Sequence, residues 1–382
     1  MIKIIKNIKN KKNGDSRMIP EVQGLRCIAI LMIIYFHLPL ILTSKYLEFH
    51  QKISRNFILF TGVELLFVLS GFFLMKSLSK MEKYNIPKIV DNSIPQNSNN
   101  LKIKIEILFE FILKKFKRLA PASYFWVIVS LLLCLITKNE EFWLSRELML
   151  KKFFATIIWL RNFEVAFVPT HLGYHWAVSL EFQVFIVFSI FYFIIGKNKT
   201  IFLSIFICII MMFFRPAINS QYWLFRFDPI LWGTIVYYLF EKIDKNFLNT
   251  KFKSKKIWIF IISCIFVLIL SSNEVTFGEY KYFKTSISAI TSAIMLLLAL
   301  SGNGYFYSNI FGIRHIIDWV SSRSYSLYCC HIVSWLMIKQ LYSFLGIEYN
   351  KNGVIYCIIF MIISAEFTYQ YIEKILIKSK SK

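Results

Sequence analysis

FILFTGVELLFVLSGFFLMKSL, residues 57–78, decides the class of fold. These twenty-two positions carry one carboxylate, Glu64, and one cation near the end, Lys76. An α-helix needs about 20 apolar residues to cross the hydrocarbon of a bilayer. Working outward, comparable runs recur to both ends of the chain. Ten spans are expected, at roughly 26–44, 57–78, 119–137, 176–195, 200–214, 223–240, 257–272, 285–300, 324–341 and 353–373. Composition agrees. Of 382 residues, 57% are hydrophobic and 18% charged, with mean hydropathy +0.55; soluble domains run at about 45–50% apolar and about 25% charged. A soluble globular enzyme, a disordered chain and a disulfide scaffold are excluded. The fold class is therefore all-α, a polytopic transmembrane bundle. Cys27, Cys134, Cys208, Cys264, Cys329, Cys330 and Cys357 lie in or beside apolar runs, form no CxxC pair and read as small buried hydrophobes.

The net charge of +23 sits in short segments between the apolar runs, which fits membrane topology rather than a nucleic-acid stripe. With the N-terminus inside, 29 of the 45 Lys and Arg fall in inside segments and 12 in outside ones. Both termini are therefore expected in the cytoplasm. Three parts follow: a basic segment 1–25, a membrane domain 26–373 and a basic tail 374–382. The start, with no small-residue cleavage site after the first run, reads as an uncleaved span. Of the two long loops, 79–118 is polar from Ile86 to Asn100 and amphipathic from Leu101 to Lys117, the pattern of a helix on the inner membrane surface. The outer loop 138–175 contains a similar candidate at 141–163.

A charge at mid-bilayer costs at least about 2.5–3.5 kcal/mol on insertion scales. The charges and imidazoles inside spans therefore need a reason. Arg26 and His37 are eleven residues apart, within about 20° of one helix face and about 16 Å apart in depth. Glu64, Glu181 and His37 fall at similar estimated depths, and Arg226 and His331 could join them. That pattern is a polar cavity holding a general base; the plainer reading is structural interhelical hydrogen bonding. His171 and His175 have a metal-like separation, but Pro169 and Gly173 put them in a loop without the HExxH pattern, so no metal is expected. His50 and His315 are expected to be solvated, Lys339 to snorkel, and Ser70 with Gly71 to mark close helix packing.

Seven stretches, in order over about residues 20–374, resemble the integral-membrane acyltransferase family 3, which includes bacterial O-acetyltransferases of cell-surface glycans. Residues 21–29, EVQGLRCIA, followed by His37, are similar to the family's DGLRAIA and its histidine. Residues 62–72, GVELLFVLSGF, resemble GVDLFFVLSGF. Residues 114–122, KKFKRLAPA, resemble a run with two arginines three apart. Residues 176–183, WAVSLEFQ, resemble WSLSVEEQ. Arg226-Phe227-Asp228 precedes Gly233, residues 324–331 resemble SYSLYLWH, and residues 371–374 resemble the closing IEKP. This chain departs from the pattern at Glu64 (for Asp), Lys115 (for Arg), Phe182 (for Glu) and Ile375 (for Pro).

The resemblance implies transfer of an acyl group, usually acetyl, from cytoplasmic acyl-coenzyme A to a hydroxyl of a lipid-linked sugar or cell-surface glycan, at the bacterial cytoplasmic membrane. His37 is then the central base or acyl carrier, with Arg26, Glu64 and Glu181 as catalytic partners. Lys115, Arg118 and Arg26 would hold the donor. Trp176, Ser179, Arg226, Tyr325 and His331 would line the acceptor side or cavity. Acetyl-CoA enters as substrate, and the partners are the donor, the glycan and the bilayer, without nucleic acid. Some members carry a further outer esterase-like domain after the last span; this chain is expected to act alone or with a separate partner. The rival is a transporter, flippase or polymerase for lipid-linked glycan, whose paired half-chain repeats are not apparent.

Overall fold

The computed structural model describes residues 19–57, 59–89, 98–214, 225–243, 256–276 and 281–374. Most of the basic N-terminal segment, the tail after residue 374, the polar stretch 90–97, the segment 215–222 and parts of 241–256 and 273–284 lie outside them. Among the described residues there are helices and no strand. In chain order they are α1 (Pro20–His37), α2 (Ser44–Ser54), α3 (Gly62–Ile89), α4 (Ser98–Thr137), α5 (Glu140–Trp143), α6 (Arg146–Ile157), α7 (Arg161–Phe167) and α8 (Trp176–Ile195). Then come α9 (Lys197–Phe214), α10 (Asp228–Lys242), α11 (Lys256–Thr276), α12 (Lys281–Leu300), α13 (Phe311–Ser322), α14 (Ser324–Phe344) and α15 (Lys351–Phe367), the last continued by a π-helical turn, Thr368–Glu373.

Six stretches among the described residues are long and apolar enough to cross a membrane: Pro20–Leu40, Leu59–Glu82, Lys104–Thr137, Gly173–Ile195, Lys197–Phe214 and Lys351–Glu373. The other four expected spans are helices too, but shorter or more polar. The apolar parts of α11 and α12 are Ile261–Ser271 and Ser286–Leu300, and α10 has 15 residues. Helix α14 carries Ser326, His331 and Ser334 in its buried stretch. Helices enclosed by other helices need not be uniformly apolar, which separates the six from the ten read in the sequence.

Four expectations are corrected. Pro39 has no N–H to continue the first helix, so α1 ends at His37 and a 3-10 turn follows at Leu38–Leu40. The Tyr35 carbonyl, which Pro39 cannot satisfy, accepts from His50 Nε2 at 3.0 Å. His50 is thus buried rather than solvated, stacked on the Tyr35 ring. The amphipathic stretch from Leu101 does not lie apart as a surface helix. It runs straight into the third span, with Pro121 inside one 40-residue helix, about 60 Å long at 1.5 Å per residue. The segment 141–163, expected as an outer surface helix, is no single helix either. It is α5, α6 and α7 folded into a cap that buries Phe142, Trp143 and Trp159: Trp159 meets Phe116 of α4 and Phe182 of α8, and Phe142 and Trp143 meet Lys339 and Gln340 of α14.

Helices α1 and α3 run through both hydrophobic cores. One core gathers α4, α8, α10, α14 and α15 around them, and the other gathers α11 and α12. The α3–α10 crossing depends on two glycines. A Cβ on Gly71 would stand 1.8 Å from the Ile230 carbonyl oxygen, and one on Gly233 1.9 Å from that of Val68. Backbone meets backbone there, as in small-residue helix pairs of membrane proteins. This supports the packing reading of the Ser70–Gly71 pair.

Candidate active site

Helix α1 positions two polar regions, one toward each end. Near its start, Arg26 lines a cleft enclosing about 760 Å³ of empty space, mouth included. Lys115 and Arg118 come from α4, three residues apart and therefore on one face. Ser70 comes from α3, Glu181 from α8, and Tyr325 and Tyr328 from α14. The Arg26 guanidinium lies 4.8 Å from the centre of the Phe73 ring. The Lys115 ammonium lies 4.6 Å from that of Phe185 and is 8% exposed. Such faces attract cations and hold them without neutralising them. Glu181 accepts from the Ser70 hydroxyl. Three cations thus share the cleft with one carboxylate, which makes it a site for an anion. Tyr325 donates to the Leu119 carbonyl at 2.5 Å, and Tyr328 donates to that of Tyr174. Both rings are walls with their hydroxyls already engaged.

Eleven residues on, about 16 Å along the axis, α1 ends at His37. Its Nδ1 lies 2.9 Å from the Ile33 carbonyl oxygen and 3.3 Å from Nε2 of His331. His331, fully buried on α14, has its own Nδ1 2.8 Å from the Tyr328 carbonyl oxygen. A carbonyl oxygen only accepts, so His331 carries its proton on Nδ1 and presents a lone pair at Nε2. His37 Nδ1, facing that lone pair and a second carbonyl, is the protonated nitrogen. The Nε2 of His37 is left as the basic one. Tyr328 joins the two regions: its ring lines the cleft and its carbonyl sets the tautomer of His331.

The remaining sequence-predicted residues divide. Glu64 is buried in an ion pair with Arg226 at 2.7 Å, and the Arg226 guanidinium lies 5.9 Å from the centre of the Phe60 ring. Glu181 stands with the cleft cations, so the three groups estimated at one depth occupy three settings. Trp176 stacks on Phe60 and meets Phe67 edge-on. Ser179 is buried on α8. Lys339 donates to the Leu40 carbonyl at 3.2 Å, His315 is exposed, and His171 bonds to the Phe142 carbonyl at 2.8 Å in the cap. Reasoning from sequence gave no part to Tyr174, whose hydroxyl donates to the Cys329 carbonyl at 2.7 Å and whose ring faces His331. It also missed Arg323, which clamps Glu366 through Nε at 2.6 Å and Nη2 at 3.0 Å. Neither has a signal in spacing, because each partner is remote in sequence.

A multi-pass helical bundle with a cation-lined cleft and a buried histidine pair defines an integral-membrane protein with a polar interior site. The family model described as an acyltransferase domain matches residues 19–367, and the chain belongs to that family. It is 24% identical over 388 residues to the O-acetyltransferase OatA of Staphylococcus aureus (strain NCTC 8325 / PS 47), covering 95% of this chain and 58% of the relative. It is 22% identical to the putative peptidoglycan O-acetyltransferase YrhL of Bacillus subtilis (strain 168), covering 95% of this chain and 55% of the relative. It is 21% identical to the peptidoglycan O-acetyltransferase OatA of Listeria monocytogenes serovar 1/2a, covering 85% and 50%. The chain thus spans little more than half the length of these curated relatives. No solved structure matches it.

Proposed function

We propose that this protein is an O-acetyltransferase of the bacterial cytoplasmic membrane, taking the acetyl group from cytoplasmic acetyl-coenzyme A and placing it on a hydroxyl of a cell-envelope glycan. One observation carries the reading. A cleft with Arg26, Lys115 and Arg118 in its walls lies on the same helix that presents the His37 base at its far end. Coenzyme A brings phosphates, which need cations with fixed geometry. The excess of Lys and Arg in the inside segments puts the Arg26 end toward the cytoplasm, and His37 then lies toward the outer face. A long thioester arm can reach across while its phosphates stay at the inner rim. The relatives' names point to peptidoglycan as the acceptor.

The chemistry follows from the tautomer. His37 Nε2 takes the proton of the acceptor hydroxyl as its oxygen attacks the thioester carbonyl; the C–S bond breaks and the thiolate leaves as thiol with that proton. Trp176, packed against Phe60 and Phe67, is assigned to the wall on the acceptor side. Glu181 holds the cleft's charge balance through Ser70. The basic terminal segments and the loop 79–118 belong to the cytoplasmic side in this account, and 138–175 caps the outer side. Replacing Lys115 and Arg118 by Ala tests the donor end. KM for acetyl-coenzyme A is expected to rise at least tenfold while KM for the glycan holds. An unchanged donor KM contradicts the assignment of the cleft.

A further inference from the structure

The inference here rests on the acyl-transfer reading. His37 Nδ1–H already has an acceptor in its own helix, the Ile33 carbonyl at 2.9 Å. That contact by itself fixes the tautomer. The second partner, His331 Nε2 at 3.3 Å, does what a carbonyl cannot: it can take the proton. We propose that His37 and His331 work as a proton-sharing pair, with His331 accepting the Nδ1 proton of His37 as His37 Nε2 accepts the proton of the acceptor hydroxyl.

The step balances. The acceptor O–H bond breaks and the His37 Nε2–H bond forms. The His37 Nδ1–H bond breaks and the His331 Nε2–H bond forms, so His37 stays neutral and His331 becomes the imidazolium. Both transfers reverse as the thioester C–S bond breaks, and the thiolate leaves with the proton. No oxidant or further reactant is needed beyond the acyl thioester and the hydroxyl.

His331 is fully buried, and what could hold a transient cation there is its backbone hydrogen bond and two rings. Its Nδ1–H donates to the Tyr328 carbonyl, a bond that strengthens when the ring is charged. Two aromatic rings meet it at steep angles, Tyr174 with centroids 5.1 Å apart and Trp335 at 5.6 Å. Tyr174 is itself fixed at both ends, its hydroxyl on the Cys329 carbonyl and its own carbonyl on the Tyr328 hydroxyl. A hydrogen-bonded pair of bases in a low-dielectric interior titrates as one unit. The positive charge then rests one ring away from the acceptor.

The test uses the full chain in proteoliposomes, acetyl-coenzyme A and native envelope glycan, read as single-turnover transfer. His331→Gln keeps an acceptor atom but cannot hold a proton; His331→Leu keeps neither. Both variants are expected to lose at least tenfold in rate with acetyl-coenzyme A affinity unchanged. In mixtures of H2O and D2O the wild type should give a curved dependence of rate on deuterium fraction, from two protons in flight, and His331→Gln a straight one. A His331→Gln enzyme as fast as wild type, or a straight wild-type dependence, overturns the proposal. So does loss of donor affinity in both variants, which would make His331 structural. The wild type separates the two levels: if it transfers no acetyl group, the acyl-transfer reading itself has failed, whereas a His37→Ala protein as fast as wild type overturns the pair alone.

Discussion

At the scale of single residues, burial decides what the charges do. Glu64 and Arg226 are 3% and 1% exposed and bonded to each other. Removing one partner of a buried pair costs about 3–5 kcal/mol, because the other charge stays buried. Arg226→Met should therefore lower the midpoint of thermal unfolding in detergent sharply, and Glu64→Gln added to it should restore part of the loss. A double variant no better than the single one contradicts the pairing. Lys152, in the cap on α6, gives a pH-dependent case. Burial, with Arg161 nearby, pulls its ammonium from 10.5 down to about 6, and it donates to the Thr170 hydroxyl. Between about pH 6 and 10.5 the unfolded chain holds a proton that the folded one has lost, so stability rises with pH through that window. The unfolding midpoint of the wild type should climb from pH 6 to pH 9 more steeply than that of Lys152→Met; parallel curves contradict this. The sequence made the costly residues visible, since Glu64, Glu181 and His37 stand out in apolar runs. It offered Arg226 and His331 as candidates beside them but not which pairs with which, because pairing is set by packing between helices remote along the chain.

At the scale of elements, two contacts shape the site. The α3–α10 crossing brings Ser70 and Glu64 to their places and depends on backbone approach at Gly71 and Gly233. Gly233→Leu is expected to yield no monodisperse protein by size-exclusion chromatography. Gly312→Leu on α13, where an added Cβ meets nothing within 4 Å, should elute as the wild type; a well-behaved Gly233→Leu protein contradicts the crossing. Helix α4 carries Lys115 and Arg118 to the cleft from a 40-residue rod. Its helical character was legible in the hydropathy pattern, but its continuity was not: the polar face before residue 118 looks like a surface helix when read alone. The end of α1 was misplaced for the opposite reason. Leu38, Leu40, Ile41 and Leu42 continue the apolar run, and only the missing N–H of Pro39 stops the helix.

At the scale of the whole molecule, the arrangement separates a cleft with three cationic side chains from a histidine pair at the far end of the same helix. The helical membrane architecture and the family were both legible from ordered motifs and apolar runs. The number of full-length apolar spans was not, since α10 and α14 are enclosed by other helices and tolerate polar residues. The cap of α5, α6 and α7, with buried Lys152, Arg161 and His175 beside it, could not be inferred from a loop of mixed polarity. If donor and acceptor meet as proposed, Trp176→Ala should raise KM for the glycan severalfold and leave KM for acetyl-coenzyme A unchanged; the reverse pattern would put Trp176 on the donor side. The central claim is tested most directly in inverted membrane vesicles fed acetyl-coenzyme A labelled in its acetyl group, with wild type and His37→Ala side by side. The account predicts label in envelope glycan with the wild type and none above background with His37→Ala. Equal labelling by the two proteins, or none by the wild type with native envelope supplied, would contradict it.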